Sequence, residues 1–235
     1  MNKKLAKIMR RNAEEARRTP YNFCDRWCER CALETQKGCS LYLELLEQRL
    51  INIAYGKDEN DLEIVQAELE KRLQEIEDTA EIYTEEDNYI SNEDFDSDEE
   101  LRSKEVLLYS HPLQKTVEQY MKQANAFLKS FLNQEEGGNN SSADYETVCW
   151  YHTLLPAKMY RALCGLCLYE KDKDDDFELC DAVAQLCVCK KAVSLSIQAL
   201  KRIAAQQNHL RKTISLLVVL LYNIFSRMEI VEQEL

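Results

Sequence analysis

Apolar residues recur at gaps of three and four along most of this chain, the spacing of helices that each bury one face. The second half is the most regular. Leu113, Val117, Tyr120, Ala124, Phe127 and Phe131 line one helix, and Pro112 suits its first turn. Val148, His152, Leu155, Met159, Ala162, Leu166 and Tyr169 predict a second helix over 144–170. Leu179, Val183, Leu186, Val193, Ile197, Leu200 and Ala204 predict a third over 177–205. Asn208 is placed to cap a fourth, striped by Leu210, Ile214, Leu217, Leu221, Ile224, Met228 and Val231. The connections are short: a Gly-Gly-Asn-Asn-Ser-Ser loop at 137–142 and an acidic turn at 171–176. Four long helices joined this way specify an antiparallel four-helix bundle over 105–235.

The first half is less uniform. Residues 2–18 predict a basic helix that ends at Thr19-Pro20, and a cysteine-rich segment follows to Cys39. Ser40 suits the N-cap of a helix to about Tyr55, where Gly56 stops it. Asp61 caps another, striped by Leu62, Val65, Leu69, Leu73, Ile76, Ala80 and Tyr83, so 40–84 reads as a helical hairpin. Residues 85–104 lack any stripe and read as an acidic linker. The expectation is an all-α protein in four parts: a basic helix plus cysteine metal module at 1–39, the hairpin, the linker and the bundle.

Composition agrees. Five glycines and three prolines in 235 residues are poor material for a sheet with many turns, while the length allows a sizeable core. The net charge of −12 argues against nucleic acid or an anionic membrane as partner, and leaves another protein as the expected one. Residues 1–39 carry ten Lys/Arg against five acids. That basic arm is read as a solvated helix, ahead of an arm docked on an acidic surface. The most apolar run, 214–225, is about a dozen residues flanked by Arg211, Lys212 and Arg227; it reads as a buried core helix, too short to span a bilayer. Ten cysteines behind a polar, basic start point to the reducing cytoplasm, where clustered thiols serve metal or redox chemistry more often than disulfides.

The densest cluster is Cys24, Cys28, Cys31 and Cys39, spaced C-x3-C-x2-C-x7-C. Four thiolates within 16 residues meet the ligand count of a structural zinc site or an iron–sulfur (4Fe–4S) cluster. Zinc needs all four sulfurs about 2.3 Å from one atom and often uses two Cys-x2-Cys turns, of which only Cys28–Cys31 has the form. Were 24–31 helical, Cys24, Cys28 and Cys31 would form a row roughly 10 Å long, which a multi-iron cubane accommodates better. The iron–sulfur reading is therefore favoured over zinc. Tyr21, Phe23, Trp27 and Tyr42 are candidates to exclude solvent, and Arg26 and Arg30 to offset thiolate charge. The x3-x2 triplet also matches the cluster spacing of radical SAM enzymes, but a fourth cysteine is present and barrel strands are missing, so that reading is rejected.

The run FCDRWCERC at 23–31, with a cysteine close behind, resembles an N-terminal motif of uncharacterised bacterial helical proteins. WYHTLLPAKMYRAL at 150–163 resembles a second signature of the same group. The resemblance implies a retained cysteine site and no particular activity.

Elsewhere the chemistry is sparse. Cys149, Cys164, Cys167, Cys180, Cys187 and Cys189 fall on bundle helices; pairs 164/167 and 180/187 share faces and are candidates for a second site, although small core hydrophobes are the commoner use. His152 and Lys190 interrupt apolar stripes, and with Lys158 define a candidate polar pocket; a satisfied histidine and a snorkelling lysine are the plainer alternative. No Glu-x-x-His pair for a di-iron site, nucleotide loop, hydrolase triad or H-E-x-x-H is present, so the balance leans away from an enzyme. Two functions lead: an iron–sulfur redox or sensing protein, and a zinc-stapled, non-catalytic interaction or regulatory protein. An enzyme pocket around His152 and Lys190 comes a distant third.

Overall fold

A computed structural model describes residues 3–31, 39–58, 74, 108–132, 143–171, 173 and 176–234. Their regular secondary structure is all helical, with no strand among the described residues. The expected helix at 61–84, the acidic linker at 85–104 and the glycine loop at 137–142 lie outside the described residues, apart from Gln74. The chain divides into two compact units, one combining residues 1–27 with 105–235 and the other spanning 28–104.

The first unit contains α1 (Lys3–Glu15) and four long helices. In this article's numbering α2 belongs to the second unit, and the long helices are α3 (Pro112–Leu132), α4 (Ala143–Lys171), α5 (Asp176–Gln206) and α6 (Arg211–Glu234). Helix α3 packs on α4 and α6, while α5 packs on the same two, and the α4–α5 contact is the most extensive. The stripes read from the sequence point inward. Leu113, Val117, Tyr120, Ala124 and Phe127 are buried on α3, and Ile214, Leu217, Leu221, Ile224 and Met228 on α6. Helix α3 starts at Pro112, whose missing N–H costs nothing in a first turn. Before α6 the expected Asn208 cap is replaced by a short 3₁₀ turn, Asn208–Leu210.

Helix α1 lies on α5, with Leu5 and Ile8 buried against Leu179, Cys180 and Val183. Buried Asn12 donates its side-chain N–H to the Cys180 carbonyl oxygen at 2.8 Å. Lys7, Arg10 and Arg11 stay exposed, so the basic arm is a solvated helix with one docked face.

Two helices are long and apolar enough to cross a membrane by length and composition: Asp176–Gln206, and a segment from Asn208 to Gln233. The first is 67% buried, as a core helix is, but the second is only 28% buried. Its outer face exposes Leu216, Val219, Tyr222 and Ile230. The reading of 214–225 as a buried core helix therefore holds for one face only.

In the second unit, α2 (Ser40–Ala54) begins one residue before its expected N1 position. Cys39, not Ser40, occupies the N-cap, since the Ser40 backbone is already helical, and it makes no side-chain capping bond. Gly56 ends the helix with φ of +68°, a left-handed conformation that glycine adopts without Cβ strain.

Gly165 sets how closely α4 and α5 approach. A Cβ there would stand 3.0 Å from the Glu178 carbonyl oxygen and 3.2 Å from the Ala182 Cβ. Gly165→Val is expected to push the helices apart and cost about 2–3 kcal/mol, read from urea unfolding. Ala157→Val, on the exposed face of α4, should stay within about 1 kcal/mol.

Candidate functional site

Residues 20–27 run as a strap from the end of α1 onto the paired faces of α4 and α5. Pro20–Asn22 forms a 3₁₀ turn, after which the chain is bent and extended through Trp27. The helical row of Cys24, Cys28 and Cys31 does not form. Arg26 has φ of +56°, outside any right-handed helix, and only Cys28–Arg30 closes a short 3₁₀ turn. Within that turn the Cys31 N–H donates to the Cys28 carbonyl oxygen at 3.2 Å, so Cys28 and Cys31 sit on a tight loop.

Two side chains hold the strap down. Trp27 stacks on Trp150 with centroids 5.2 Å apart and planes 18° from parallel, and meets Tyr151 edge-on at 5.9 Å. The Asp25 carboxylate accepts hydrogen bonds from the Tyr151 hydroxyl at 2.7 Å and from Lys191 Nζ at 2.8 Å. Its backbone carbonyl accepts the Trp150 indole N–H at 2.9 Å. Burial opposes the Asp25 charge, yet the hydrogen bonds from Lys191 and Tyr151 hold its carboxyl below the ordinary value. Gln185 of α5 adds a bond to the Asn22 carbonyl oxygen at 3.2 Å. Residues 23–27 and the start of the 150–163 segment, separate in sequence, are thus joined through Asp25 and Trp27 on one side and Trp150 and Tyr151 on the other.

Cys24 is half-buried on this strap. As a thiol it faces the Tyr21 carbonyl oxygen at 3.7 Å, and its Sγ accepts the Arg26 N–H at 3.3 Å. The left-handed turn at Arg26 aims that amide at the sulfur, an arrangement that favours thiolate or metal-bound sulfur. Cys28 and Cys31 are half-buried and Cys39 is buried. Residues 32–38, between Cys31 and Cys39, lie outside the described residues. Among the described residues no group of three or more His, Cys, Asp or Glu side chains gathers as a metal-holding set.

The candidate polar pocket separates into three surroundings. His152 is half-exposed, and its Nδ1 lies 2.7 Å from the Cys149 carbonyl oxygen of its own helix. Lys190 reaches across to α6, pairing with Glu232 at 2.5 Å and lying 5.5 Å from the Phe225 ring centroid. Lys158 is only 7% exposed. Burial, followed by repulsion from Arg26 and Arg161, pulls its pKa below the usual lysine value, while Cys24 and Cys189 act in the opposite sense.

The six remaining cysteines follow helix faces. Cys180 and Cys189 are buried, Cys164 and Cys167 half-buried, and Cys149 and Cys187 exposed. Burial pushes the Cys189 thiol up to about 12, with Lys158 working against that shift, so it stays protonated. No family model, curated protein or solved structure matches the chain.

Asp25 was not among the residues singled out from sequence, and its acid–aromatic context in CDRWC was the available signal. Asp25→Ala is expected to cost about 2 kcal/mol by removing charged hydrogen bonds that are largely shielded from water. Trp27 and Trp150 are the chain's only tryptophans, so their stack should give a coupled far-ultraviolet circular dichroism band. That band is expected to vanish in Trp27→Phe and in Trp150→Phe alike.

Proposed function

We propose that this chain is a cysteine-ligated metal protein in which Cys24, Cys28, Cys31 and Cys39 hold one metal centre, and that the centre is a zinc staple. The observation that carries the reading is the strap: Asp25 and Trp27, interleaved with the cysteines, are spent on anchoring the segment to α4 and α5. A strap fixed this way presents the Cys24 thiol from a defined backbone, which a metal site needs. The helical row that favoured a cubane is absent. The tight Cys28–Cys31 loop has the form that tetrahedral zinc sites use.

In this reading α3 to α6 form an antiparallel four-helix bundle, and the protein works in the cytoplasm by binding another protein, with no catalysis of its own. Membership of the group of bacterial helical proteins with the CDRWCERC…C motif belongs to the same proposal. When bound, zinc supplies a fixed tetrahedral cross-link among the four thiolates. An iron–sulfur centre with a redox or sensing role is the second reading, favoured by the Arg26 amide on the Cys24 sulfur, since such bonds tune cluster potentials.

Anaerobic purification followed by zinc, iron and sulfide analysis decides between them. The expected result is a colourless protein with about one zinc per chain, lost in Cys28→Ser and Cys31→Ser. A brown preparation rich in iron and sulfide would establish the cluster. Absence of every metal, with folding unchanged in both variants, would sink the reading altogether.

A further inference from the structure

A helix that packs on one side only keeps its apolar residues on that side and polar ones opposite. Helix α6 carries apolar residues on both. Ile214, Leu217, Leu221, Ile224 and Met228 are buried in the first unit. On the opposite side Leu216, Val219, Tyr222 and Ile230 are each half or more exposed. Among the described residues the longer helices α4 and α5 expose one large apolar side chain each, Leu168 and Phe177. Single exposures are ordinary, whereas a run of four on one helix face marks a contact surface.

The outer face also has the spacing of a seam. Lys212, Leu216, Val219, Asn223, Ser226 and Ile230 follow alternating gaps of four and three, and all six are exposed. Such a row is the pattern by which one helix packs along another. Its polar members argue for protein over lipid as the occupant. Asn223, Ser226 and the neighbouring Glu229 are costly against hydrocarbon. Against a second helix, an asparagine within a seam fixes the register.

Charge identifies the second helix. Helices α4 and α5 begin with acids, Asp144 and Glu146 in one and Asp176 and Glu178 in the other, as the helix dipole favours. Helix α6 is reversed. Arg211 and Lys212 are exposed at its start, and its first turn holds no acid. Glu229 is exposed toward its end, and its last turn holds no base. A helix with the same charge order running the other way complements both ends. A second copy of α6 supplies that helix from the same patch, as a two-fold interface requires.

We propose that α6 pairs antiparallel with α6 of a second copy of this chain, through the face from Leu216 to Ile230. A two-fold axis between Val219 and Asn223 sets Leu216 beside Ser226 of the second copy, and Lys212 beside its Ile230 and Glu229. The pairing needs no metal, so it stands or falls independently of the cysteine centre.

Sedimentation velocity of the full chain over micromolar concentrations tests the pairing, with reductant present so that the exposed Cys149 and Cys187 cannot cross-link copies. Wild type is expected to sediment as a dimer. Val219→Glu should raise the dissociation constant about a hundredfold or more, because it places an unpaired charge in the seam. Helical circular dichroism should be unchanged, since the position is exposed, and Leu216→Lys serves as a second disrupting variant. Lys212→Glu should weaken the dimer about three- to tenfold. Combining it with Glu229→Lys should restore the affinity, because antiparallel copies exchange the two charges. A wild-type chain that stays monomeric, or a dimer that Val219→Glu and Leu216→Lys leave intact, overturns the proposal. So does a monomer that floats with phosphatidylcholine vesicles, which assigns the face to lipid. A dimer broken by Val219→Glu but indifferent to Lys212→Glu overturns the antiparallel arrangement.

Discussion

Close approach of α4 and α5 is the constraint on which the first unit depends. Gly165 permits it, since any side chain there would press on the Glu178 carbonyl and on Ala182. Every other element of this unit packs against one of the pair: α3 on α4, α6 on α5, and α1 on α5. The strap at 20–27 uses both at once, taking Trp150 and Tyr151 from α4 and Gln185 and Lys191 from α5. Its partners fall in register only while the two helices keep their spacing. Packing inside the helices and placement of residues 20–27 are thus one problem.

The strap also distributes charge unevenly. Asp25 meets Lys191, and Asp181 meets Arg161, each acid matched to a base over less than 3 Å. Gln185, which reaches both Asp181 and the strap through its amide N–H, leaves its side-chain oxygen buried without a partner among the described residues.

The helices of the first unit were legible because burial imposes a period on the sequence, and the stripes over 113–127 and 214–228 are the residues found inside. Their ends were legible to within a residue or two where proline or polar residues mark them, as at Pro112. Less was legible where local conformation overrides spacing. The i, i+4, i+7 pattern of Cys24, Cys28 and Cys31 fits a helix, but an arginine in the left-handed region breaks it, and no residue type announces that in advance. The anchors were invisible for a different reason. Trp27 and Trp150 are far apart in the chain, and nothing local in either segment names its partner. Tyr21, Phe23 and Trp27 were grouped as solvent shields, whereas Trp27 acts by stacking on α4. His152 and Lys190 interrupt apolar stripes, and Lys158 on the same helix as His152 joins them in one candidate pocket by sequence alone. Only the fold distinguishes a histidine bonded to its own helix, a lysine paired across helices, and a buried lysine on α4.

The distance along the chain between Trp27 and its docking face has a consequence for the order of assembly. The strap leaves the ribosome before the helices that receive it exist, and Lys191 follows Asp25 by on the order of ten seconds at ordinary elongation rates. Throughout that interval Cys24 is carried on a nascent segment whose docking face does not yet exist. Its first encounters with metal ions or oxidants take place in the growing polypeptide, before the strap can dock and half-bury that thiol.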